Sequence, residues 1–273
     1  MFRISLVTPS LNQGRFLRRT LDSVLGQSGA FEIEYLVIDG GSTDNTLSVL
    51  EEYRGRLDWL SDPDSGQVDA INKGLRICTG DVVGWLNSDD VLLGGALQRA
   101  AEIFRTQENR EWVHGHCLIL DEYDREIRRG VSWYKRMRCK RHSFDNLLAE
   151  NYISQMTVLW RREISGEVGY LDPQFPLSFD YDLWLRLSQR SIPHFIDAPQ
   201  AGYRWYPESL SGAKFREQLR EQGEVAPRYA QGRSRVLRRK RILTAAAMGT
   251  YTLLSWIRGG DRGRQPSARR AGV

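Results

Sequence analysis

The sequence predicts an α/β fold, built on a doubly wound and mostly parallel central sheet flanked by helices. Two observations lead to this prediction. Short apolar runs alternate with segments of helical periodicity along the first half of the chain, and each helical segment is long enough to join two parallel strands by a right-handed crossover. The 273 residues, of which 41% are hydrophobic and 27% charged, can also form a core of the size that such a sheet needs.

The first two strand–helix units follow from apolar runs and apolar stripes. "RISLVTP" is a β-branched strand that ends at Pro9, and residues 14 to 27 place a stripe of apolar side chains on one helix face. "EIEYLVIDGGSTDNT" is a strand that breaks at a Gly-Gly pair. Either Ser42 or Thr43 can then cap the helix that follows.

Two further units follow, and the pattern then weakens. "LDWLSDPDSG" is a short strand and turn before a helix at about residues 66 to 77, and "DVVGWLNSDD" is a strand before the helix "LGGALQRAAEIFRTQ". Residues 120 to 150 are polar, so we expect them to be loop-rich. Periodicity returns in "ISQMTVLWRREI" and in the helix "FDYDLWLRLSQR", whose Leu183, Trp184 and Leu187 should face the core.

Charge divides the chain into two parts. Residues 1–224 carry 27 Lys and Arg against 33 Asp and Glu, whereas residues 225–273 carry 12 Lys and Arg against Asp261 alone. We therefore expect one folded domain followed by a helical basic tail. The apolar stretch at 242–257 is shorter than the ~20 residues that span a bilayer. It fits either a helix packed on the body or an interfacial helix whose flanking Arg residues meet anionic headgroups.

Cysteine usage and the N-terminus indicate a cytoplasmic protein. Cys78, Cys117 and Cys139 are odd in number and widely spaced, which is typical of reduced thiols. The apolar run before Pro9 is too short for a secretory signal. The Arg-rich end has no accompanying nucleic-acid motif, so we expect no nucleic-acid partner but an anionic membrane surface at the inner face of the cell membrane.

Small or acidic residues follow every predicted strand of the first half. In an open parallel sheet, ligands bind beyond those strand ends. A single acidic end could be a helix cap or an Asx-turn, but four ends with small residues or carboxylates on one rim are harder to explain in this way. The like charges gathered there repel one another, and a cation and a nucleotide could relieve that repulsion. Carboxylate oxygens without His or Cys suit Mg²⁺ or Mn²⁺ carried by a diphosphate. The four ends carry Thr8, Pro9 and Asn12, then Asp39 to Ser42 with Asp44, then Asp62, Asp64 and Gly66, then Asn87 to Asp90.

Asp89 and Asp90 pose a contradiction, because they directly follow a strand that should be buried. Burying unpaired charge is costly, so this pair must lie at a wet strand end, share a cation, or both. Without the cation we expect a wet site with loose neighbouring loops. Neither a P-loop nor a GxGxxG fingerprint is present, which disfavours P-loop and dinucleotide-binding proteins.

Four segments resemble glycosyltransferase family 2, whose fold is of the GT-A type. They are "VTPSLNQGRFLRRTLDSVLGQ", "EYLVIDGGSTDNT", "DSGQVDAINKGLRICTGDVVGWLNSDD" and "FDYDLWLRL", and the resemblance covers residues 3 to 215. It implies a metal-dependent transfer of a sugar from a nucleotide sugar, with UDP favoured, to a hydroxyl of a glycan or lipid-linked acceptor in cell-envelope polysaccharide synthesis. It also divides the domain into a nucleotide-sugar half at about 1–118 and an acceptor half at 119–224.

The resemblance assigns roles to individual residues. Asp39 should hold the base or ribose, and the segment from Asp64 to Lys73 should close on the nucleotide. Asp89 and Asp90 look like the family's acidic pair, with Asp90 as the more direct ligand of Mn²⁺ or Mg²⁺. The residues expected to hold the nucleotide are Thr8, Pro9, Asn12, Asp39, Gly41, Asp64, Gly66, Asn72, Lys73 and Asp89.

Catalysis also needs a base for the acceptor hydroxyl, and Asp180 looks like the family's base. Departure of the nucleotide develops negative charge on phosphate, which a cation there would stabilise. Asp180 and Asp182 are both candidates for the base, but residues two apart on a helix point ~200° apart, so only one can face the site. We favour Asp180, although it could instead cap its helix. One base and direct displacement imply inversion at the anomeric carbon.

The sequence departs from the family at two positions. Ile71 occupies the place of an Arg found in many relatives, and Tyr206 occupies the place of a His near the metal. "QAGYRW" is one residue too long for the QxxRW motif of processive synthases, so Trp205 should be a packing residue or an acceptor platform. Two other functions stay open: a nucleotidyltransferase, for which "TPSLNQGR" is a poor triphosphate loop, and a binding module without turnover.

Overall fold

A computed structural model describes residues 1–262, with side chains to residue 250, and in that range nine strands form one mixed sheet. The strands are β1 Arg3–Ser10, β2 Glu32–Asp39, β3 Asp58–Ser61, β4 Val82–Trp85, β5 Val91–Leu92, β6 Trp112–Leu120, β7 Glu126–Ile127, β8 Leu159–Arg161 and β9 His194–Arg204. The order across the sheet is β3-β2-β1-β4-β8-β6-β9-β5, with β7 paired to β6. The first four of these strands are parallel, as are β6 and β9, while β8, β5 and β7 run antiparallel to their neighbours. The predicted mostly parallel sheet is confirmed.

Helices cover both faces of the sheet, as the doubly wound prediction requires. Side chains alternate along each strand, so Val7 packs on one face while Leu6 packs on the other. Helices α1, α2 and α4 cover the face of Leu6, and α3, α6 and α8 cover the face of Val7. The helices are α1 Gly14–Leu25, α2 Thr46–Glu51, α3 Gln67–Ile77, α4 Ala96–Thr106, α5 Arg129–Lys140, α6 Phe144–Ala149, α7 Ser165–Val168, α8 Phe179–Arg190, α9 Leu210–Ala213, α10 Phe215–Val225 and α11 Ser234–Arg262.

The start of α2 differs from the predicted cap. The helix begins at Thr46, and the Asp44 carboxylate accepts a hydrogen bond from the Thr46 backbone N–H at 2.9 Å. Ser42 and Thr43 lie too far upstream to cap the helix, because the loop after β2 is folded back toward β1. Ser42 instead accepts from the backbone N–H of Asn12 at 2.7 Å. The predicted Ser42 or Thr43 cap is therefore wrong.

The expectation of a loop-rich segment at 120–150 is also wrong, because β7, α5 and α6 lie there. Helix α5 fully buries only two side chains, so it has no apolar stripe that the sequence could show. It is joined to the body by ion pairs instead. Arg136 and Lys140 both contact Asp197 of β9, at 2.6 and 2.7 Å, and Arg138 contacts Glu150 at 3.1 Å.

A row of three indoles joins α8 to the centre of the sheet. The Trp184 ring stacks on Trp85 of β4 at 5.5 Å and on Trp112 of β6 at 6.3 Å, with interplanar angles of 14° and 10°. Leu183, Trp184 and Leu187 are buried, which confirms the predicted inward face of this helix. The start of α8 is thereby held over the end of β4.

The tail begins as part of the body. Val225 and Ala226 are fully buried, and Lys240 of α11 is inserted between α6 and α8, where its Nζ donates to the Tyr181 hydroxyl at 3.2 Å. Burial lowers the pKa of Lys240 to about 8. The stretch at 242–257 continues α11, and Ile242 is exposed. Within residues 1–262, no helix combines the length and the apolar character that crossing a bilayer requires.

Candidate functional site

Asp39 lies at the end of β2 and holds together the loops at the carboxyl ends of the parallel strands, which we call the rim of the sheet. It is fully buried, and one carboxylate oxygen accepts from the backbone N–H groups of Gly41 and Ser42, at 3.1 and 2.9 Å, and from the Ser61 hydroxyl at 2.7 Å. The other oxygen accepts from the Ser42 hydroxyl at 2.5 Å. Both oxygens are therefore used to hold the ends of β2 and β3 together.

Thr8 and Pro9 lie beneath the rim, whereas Asn12 lies on it. The Thr8 hydroxyl is buried and pairs with the Tyr35 hydroxyl at 2.9 Å, and Pro9 is buried within β1. Asn12 is exposed and has a left-handed backbone, with φ 53°. Its side-chain oxygen accepts from the Thr43 backbone N–H at 2.8 Å. Asn12 therefore joins the loops that follow β1 and β2.

The loops after β2 and β3 approach each other closely at glycine. A Cβ added to Gly40 would lie 2.7 Å from an Asp64 carboxylate oxygen. Asp64 accepts from the Gly66 backbone N–H at 2.8 Å, and Gly66, the N-cap residue of α3, has φ 109°, a conformation that favours glycine. Gly41 also has a positive φ, of 85°. Gly41, Asp64 and Gly66 thus form one border of the rim.

The last two nucleotide candidates, Asn72 and Lys73, have other contacts. The Asn72 amide donates to the Leu171 carbonyl at 2.9 Å and accepts from the Leu171 N–H at 3.0 Å, entirely buried between α3 and the segment before α8. Lys73 forms an ion pair of 3.0 Å with Asp69 one turn earlier on α3. The structure does not bring the Asn72 side chain to the rim with the strand-end residues.

Asp89 and Asp90 differ sharply in exposure. Asp90 is fully buried, and its carboxylate accepts from the Arg204 backbone N–H at 2.9 Å and from the Asn87 amide at 3.4 Å. Asp89 is half-buried and accepts from the Tyr206 hydroxyl at 2.8 Å. Burial raises the pKa of both carboxyls, and the charge of Asp89 raises that of Asp90 further. Asp90 is therefore enclosed, whereas Asp89 is the member of the pair that reaches the surface at the end of β4.

Arg204 compensates the acidic pair from inside the protein. It is fully buried, its guanidinium donates to the Asp89 carbonyl at 2.7 Å, and the same group contacts Asp124 at 2.6 Å. Tyr206 packs its ring on Phe16 at 5.1 Å between centroids. Sequence reasoning identified the position of Tyr206 but assigned no role to Arg204. The signal was available in "YRWY", where an Arg and a Tyr flank one Trp.

The donor set at this rim fits a hard divalent cation that brings most of its own ligands. Among the described residues, no group of three His, Cys, Asp or Glu side chains could enclose a metal. Asp89 offers a half-exposed carboxylate, with the buried Asp90 behind it. Mg²⁺ and Mn²⁺ are commonly held by one or two carboxylates together with substrate phosphates and water, and this arrangement matches that pattern.

Asp180 lies at the start of α8 with the features of a general base. It is half-buried, it accepts from the Tyr181 backbone N–H at 2.6 Å, and the Asn151 amide lies 3.4 Å from its other oxygen. Burial raises the pKa of Asp180 to about 6, and the nearby charge of Lys135 acts in the opposite direction. Such a carboxylate is ionised at neutral pH but close enough to neutrality to accept a proton.

Asp182 has no comparable freedom. Its side chain is 3% exposed, it forms an ion pair of 2.9 Å with Arg186, and it accepts from the Tyr229 hydroxyl at 2.6 Å. These contacts join α8 to the segment before α11. Of the two carboxylates on this helix, Asp180 is the one with an accessible side chain.

Lys135 and Asn151 complete the surroundings of Asp180, and sequence reasoning missed both. Lys135 of α5 donates to the Ser154 hydroxyl at 3.3 Å. Phe179, next to Asp180, packs 6.0 Å from Trp85, the last residue of the strand that leads to Asp89. Strand β4, which leads to Asp89, and helix α8, which carries Asp180, therefore contact each other through one aromatic cluster.

Sequence relatives of this chain are glycosyltransferases. A PGL/p-HBAD biosynthesis glycosyltransferase of Mycobacterium bovis is 29% identical over 188 residues, 67% of this chain and 68% of the relative. An uncharacterized glycosyltransferase of Nostoc is 35% identical over 46% of this chain, and the chondroitin synthase of Escherichia coli is 28% identical over 68% of it. The chain spans only 39% and 26% of the length of those two proteins.

Solved structures share the fold at low identity. Staphylococcus aureus TarS in complex with UDP-GlcNAc matches 82% of this chain and 66% of its own, with a TM-score of 0.59 and 17% identity. A mannosyltransferase from Pyrobaculum calidifontis in complex with GDP-Man and Mn²⁺ matches 93% of this chain and 80% of its own, with a TM-score of 0.63 and 15% identity. The expected GT-A-type fold is confirmed.

The family model for glycosyl transferase family 2 matches residues 5–168. That range contains the four strand ends with Asp39, Asp64, Asp89 and Asp90, and it covers more than half of the chain. The geometry of the rim and this match lead to one conclusion: the chain belongs to glycosyl transferase family 2.

Proposed function

We propose that this chain is a metal-dependent, inverting glycosyltransferase of the hexosyltransferase type. It would move a sugar from a nucleotide diphosphate sugar to a hydroxyl of a glycan or lipid-linked acceptor in cell-envelope polysaccharide synthesis. The observation that carries the proposal is that Asp89 and Asp180 lie at two elements, β4 and α8, that pack on each other through one aromatic cluster. Asp89 lies half-exposed at the end of β4, and Asp180, with a pKa of about 6, begins α8.

On the donor side, the nucleoside would lie over the loops that follow β1, β2 and β3. Asn12, Gly41, Asp64 and Gly66 form the surface of these loops. Thr8, Pro9 and Asp39 would support it from below, since their side chains are buried. Asn72 would hold α3 in place against Leu171, and the half-exposed Lys73 would face the nucleotide from the surface of α3.

At the diphosphate, we propose Asp89 as the carboxylate nearer to the cation and Asp90 as its support. Asp90 is enclosed and hydrogen-bonded to the Arg204 backbone, so it can hold the end of β4 but offers little surface to a ligand. A bound Mg²⁺ or Mn²⁺ would supply positive charge to the departing phosphate. Tyr206 donates to Asp89 and thereby fixes the direction of that carboxylate.

On the acceptor side, Asp180 would take the proton of the attacking hydroxyl. The Asn151 amide and the Tyr181 N–H hold its two oxygens, so the carboxylate keeps one orientation. A hydroxyl activated in this way attacks the anomeric carbon from the side opposite to the leaving phosphate. One base and one direct displacement by the acceptor would invert the configuration.

The relatives support a nucleotide-sugar donor and a glycan or glycolipid product. TarS was solved with UDP-GlcNAc and the Pyrobaculum enzyme with GDP-Man, and we favour UDP for this chain. We propose residues 1–118 as the donor half, 119–224 as the acceptor half and 225–273 as the basic tail. The protein would act in the cytoplasm, at the inner face of the membrane.

Donor binding can be tested by thermal denaturation of the full chain with Mn²⁺ and a panel of UDP-, GDP- and dTDP-sugars. A ligand that binds the folded state raises the melting temperature by mass action. We expect a shift with one nucleotide sugar that is lost in EDTA. No shift and no hydrolysis with any donor would overturn the proposal, whereas pyrophosphate release from UTP and a sugar 1-phosphate would identify a nucleotidyltransferase.

A further inference from the structure

Positive charge is concentrated on one face of the molecule, formed by α5, α6 and the first half of α11. Residues 129–150 carry six Lys and Arg against Asp145 and Glu150, and residues 233–250 carry six Lys and Arg and no acid. Together they carry a net charge of +10, part of which is compensated by ion pairs of Arg129 with Glu126 and of Arg136 and Lys140 with Asp197. We call these two segments the α5–α11 face.

Side-chain contacts show that the two segments are neighbours. On one side of α6, Arg233 contacts Asp145 at 2.8 Å and Arg239 donates to the Asn146 side chain at 3.0 Å. Helix α6 therefore lies directly against α11. This contact fixes the position of the basic residues that begin the tail.

Helix α5 contacts the C-terminal end of the α6 segment, at Glu150. Tyr134 donates to Glu150, the residue after α6, at 2.9 Å, and Arg138 forms an ion pair of 3.1 Å with the same carboxylate. Helices α5 and α11 therefore both contact the segment formed by α6 and Glu150.

Large apolar side chains are exposed on this basic surface. Trp133 is 63% exposed and Tyr134 42% exposed on α5, and Ile242 is 63% exposed on α11. Arg235, Arg238 and Arg241 are exposed along the same stretch of α11. A surface that combines an exposed indole, an aliphatic side chain and surplus cations matches the chemistry of an anionic lipid interface, where Trp and Tyr lie at headgroup level.

We propose that the α5–α11 face binds the surface of an anionic bilayer, with Trp133 and Ile242 entering the headgroup region. The two helices would lie on the bilayer, because no described helix can cross it. Binding would not depend on the apolar tail alone, which the sequence suggested, but on α5 as well. Lipid binding by this face is independent of the reaction proposed above.

One consequence for the acceptor does rest on the proposed function. The Asn151 amide lies 3.4 Å from Asp180, and Asn151 directly follows Glu150, which Arg138 of α5 contacts. The α5 part of the face is therefore beside the proposed base. A bilayer bound there would bring membrane lipids to the acceptor side of the site. A lipid-linked acceptor would then reach Asp180 without leaving the membrane.

Sedimentation of the full chain with vesicles tests the proposal. The vesicles are phosphatidylcholine alone or phosphatidylcholine mixed with phosphatidylglycerol, and we expect binding only to the mixed vesicles, weakened by added salt. Trp133→Ser should reduce binding about tenfold, since the indole supplies the apolar contact. Its control is Ile192→Ser, an equally simple loss of an exposed apolar side chain, here 72% exposed and outside this face.

Charge is tested by a second matched pair. The double variant R235E/R238E should also lose about tenfold in binding, whereas R54E/R56E, with the same change in net charge on another surface, should bind normally. Equal binding to phosphatidylcholine alone, or unchanged binding in both test variants, would overturn the proposal. So would heparin binding that competes fully with vesicles and is unaffected by Trp133→Ser, because that result identifies a site for soluble polyanions.

The outcome can be separated from that for the enzymatic proposal. The donor-dependent thermal shift is measured without vesicles, so it reports on nucleotide binding alone. All four vesicle variants change exposed side chains, and unchanged melting temperatures would show that they fold. Loss of vesicle binding with a retained donor shift places the effect on the α5–α11 face.

Discussion

The two sides of the site are built in different ways. On the donor side, the side chains at the rim come from strand ends that are close in sequence, and the loops bind one another through Asp39, Asn12 and Asp64. On the acceptor side, Asp180, Asn151 and Lys135 come from α8, the segment after α6, and α5. The donor side is a set of loops fixed by their own hydrogen bonds, whereas the acceptor side depends on helices packed from distant parts of the chain.

The largest effect is expected on the acceptor side, from Asp180→Asn. Removing a general base lowers the rate about a thousandfold, while the donor site stays intact. Transfer rates and the donor-dependent thermal shift should be measured together. The matched control is Asp182→Asn, which should lower stability by breaking contacts with Arg186 and Tyr229 but keep the chemistry. Full transfer by the Asp180 variant would remove it from the mechanism.

On the donor side, a comparison of Asp89→Asn with Asp90→Asn separates metal binding from structural support. We expect Asp89→Asn to weaken Mn²⁺ binding to the UDP complex about a hundredfold, measured by electron paramagnetic resonance of free Mn²⁺. Asp90→Asn should instead lower the free energy of unfolding by about 1–3 kcal/mol, because the new amide group faces the Asn87 amide in a buried site. The reverse pattern would make Asp90 the nearer ligand, as the resemblance implied.

Asn72→Ala should separate structure from binding within the donor half. It removes both hydrogen bonds to Leu171 and should lower the free energy of unfolding by about 1–3 kcal/mol in urea denaturation. The affinity for the nucleotide sugar should change little in the folded protein. Lys73→Met is the opposite case: it breaks a partly exposed ion pair that contributes about 0.5 kcal/mol or less to stability, but it should weaken donor binding, because we place Lys73 at the nucleotide. A large loss of donor affinity in Asn72→Ala would instead place this side chain at the nucleotide.

The smallest effect concerns the tuning of Asp180 by Lys135. The base is active when ionised, so the rate should fall as the pH falls through about 6. Lys135→Met removes a positive charge that favours the carboxylate, so the acid limb of the kcat profile should move to higher pH by less than about one unit. Lys135→Arg keeps the charge and should keep the profile. An acid limb that is identical in all three proteins would contradict this role.

The strands and loops of the donor side could be predicted from the sequence because the patterns that indicate them are local. Each apolar run before a Gly or Asp predicted a strand and its end, and β1 to β4 lie where these patterns indicated. The exposure of individual carboxylates could not be predicted from the sequence. Asp89 and Asp90 are adjacent, and what distinguishes them is the backbone of Arg204, more than a hundred residues away.

The elements of the acceptor side could be predicted only in part from the sequence. The apolar stripe of α8 predicted its buried face, and the position of Asp180 at its start followed from the resemblance. Helix α5 gave no such signal, because it is joined to the body by ion pairs to Asp197 and Glu150 instead of an apolar stripe. Polar segments that pair with distant charges appear as loops in a one-dimensional pattern, and Lys135 was missed for that reason.

The stacked indoles of Trp85, Trp184 and Trp112 give this protein a built-in optical reporter. Three stacked rings with nearly parallel planes, whose centroids lie 5.5 and 6.3 Å apart, couple their electronic transitions and should give a strong near-ultraviolet circular dichroism signal. Trp85 lies four residues before Asp89, and Trp184 lies four residues after Asp180. The coupled signal therefore reports how the donor element and the acceptor element lie relative to each other, without any added label.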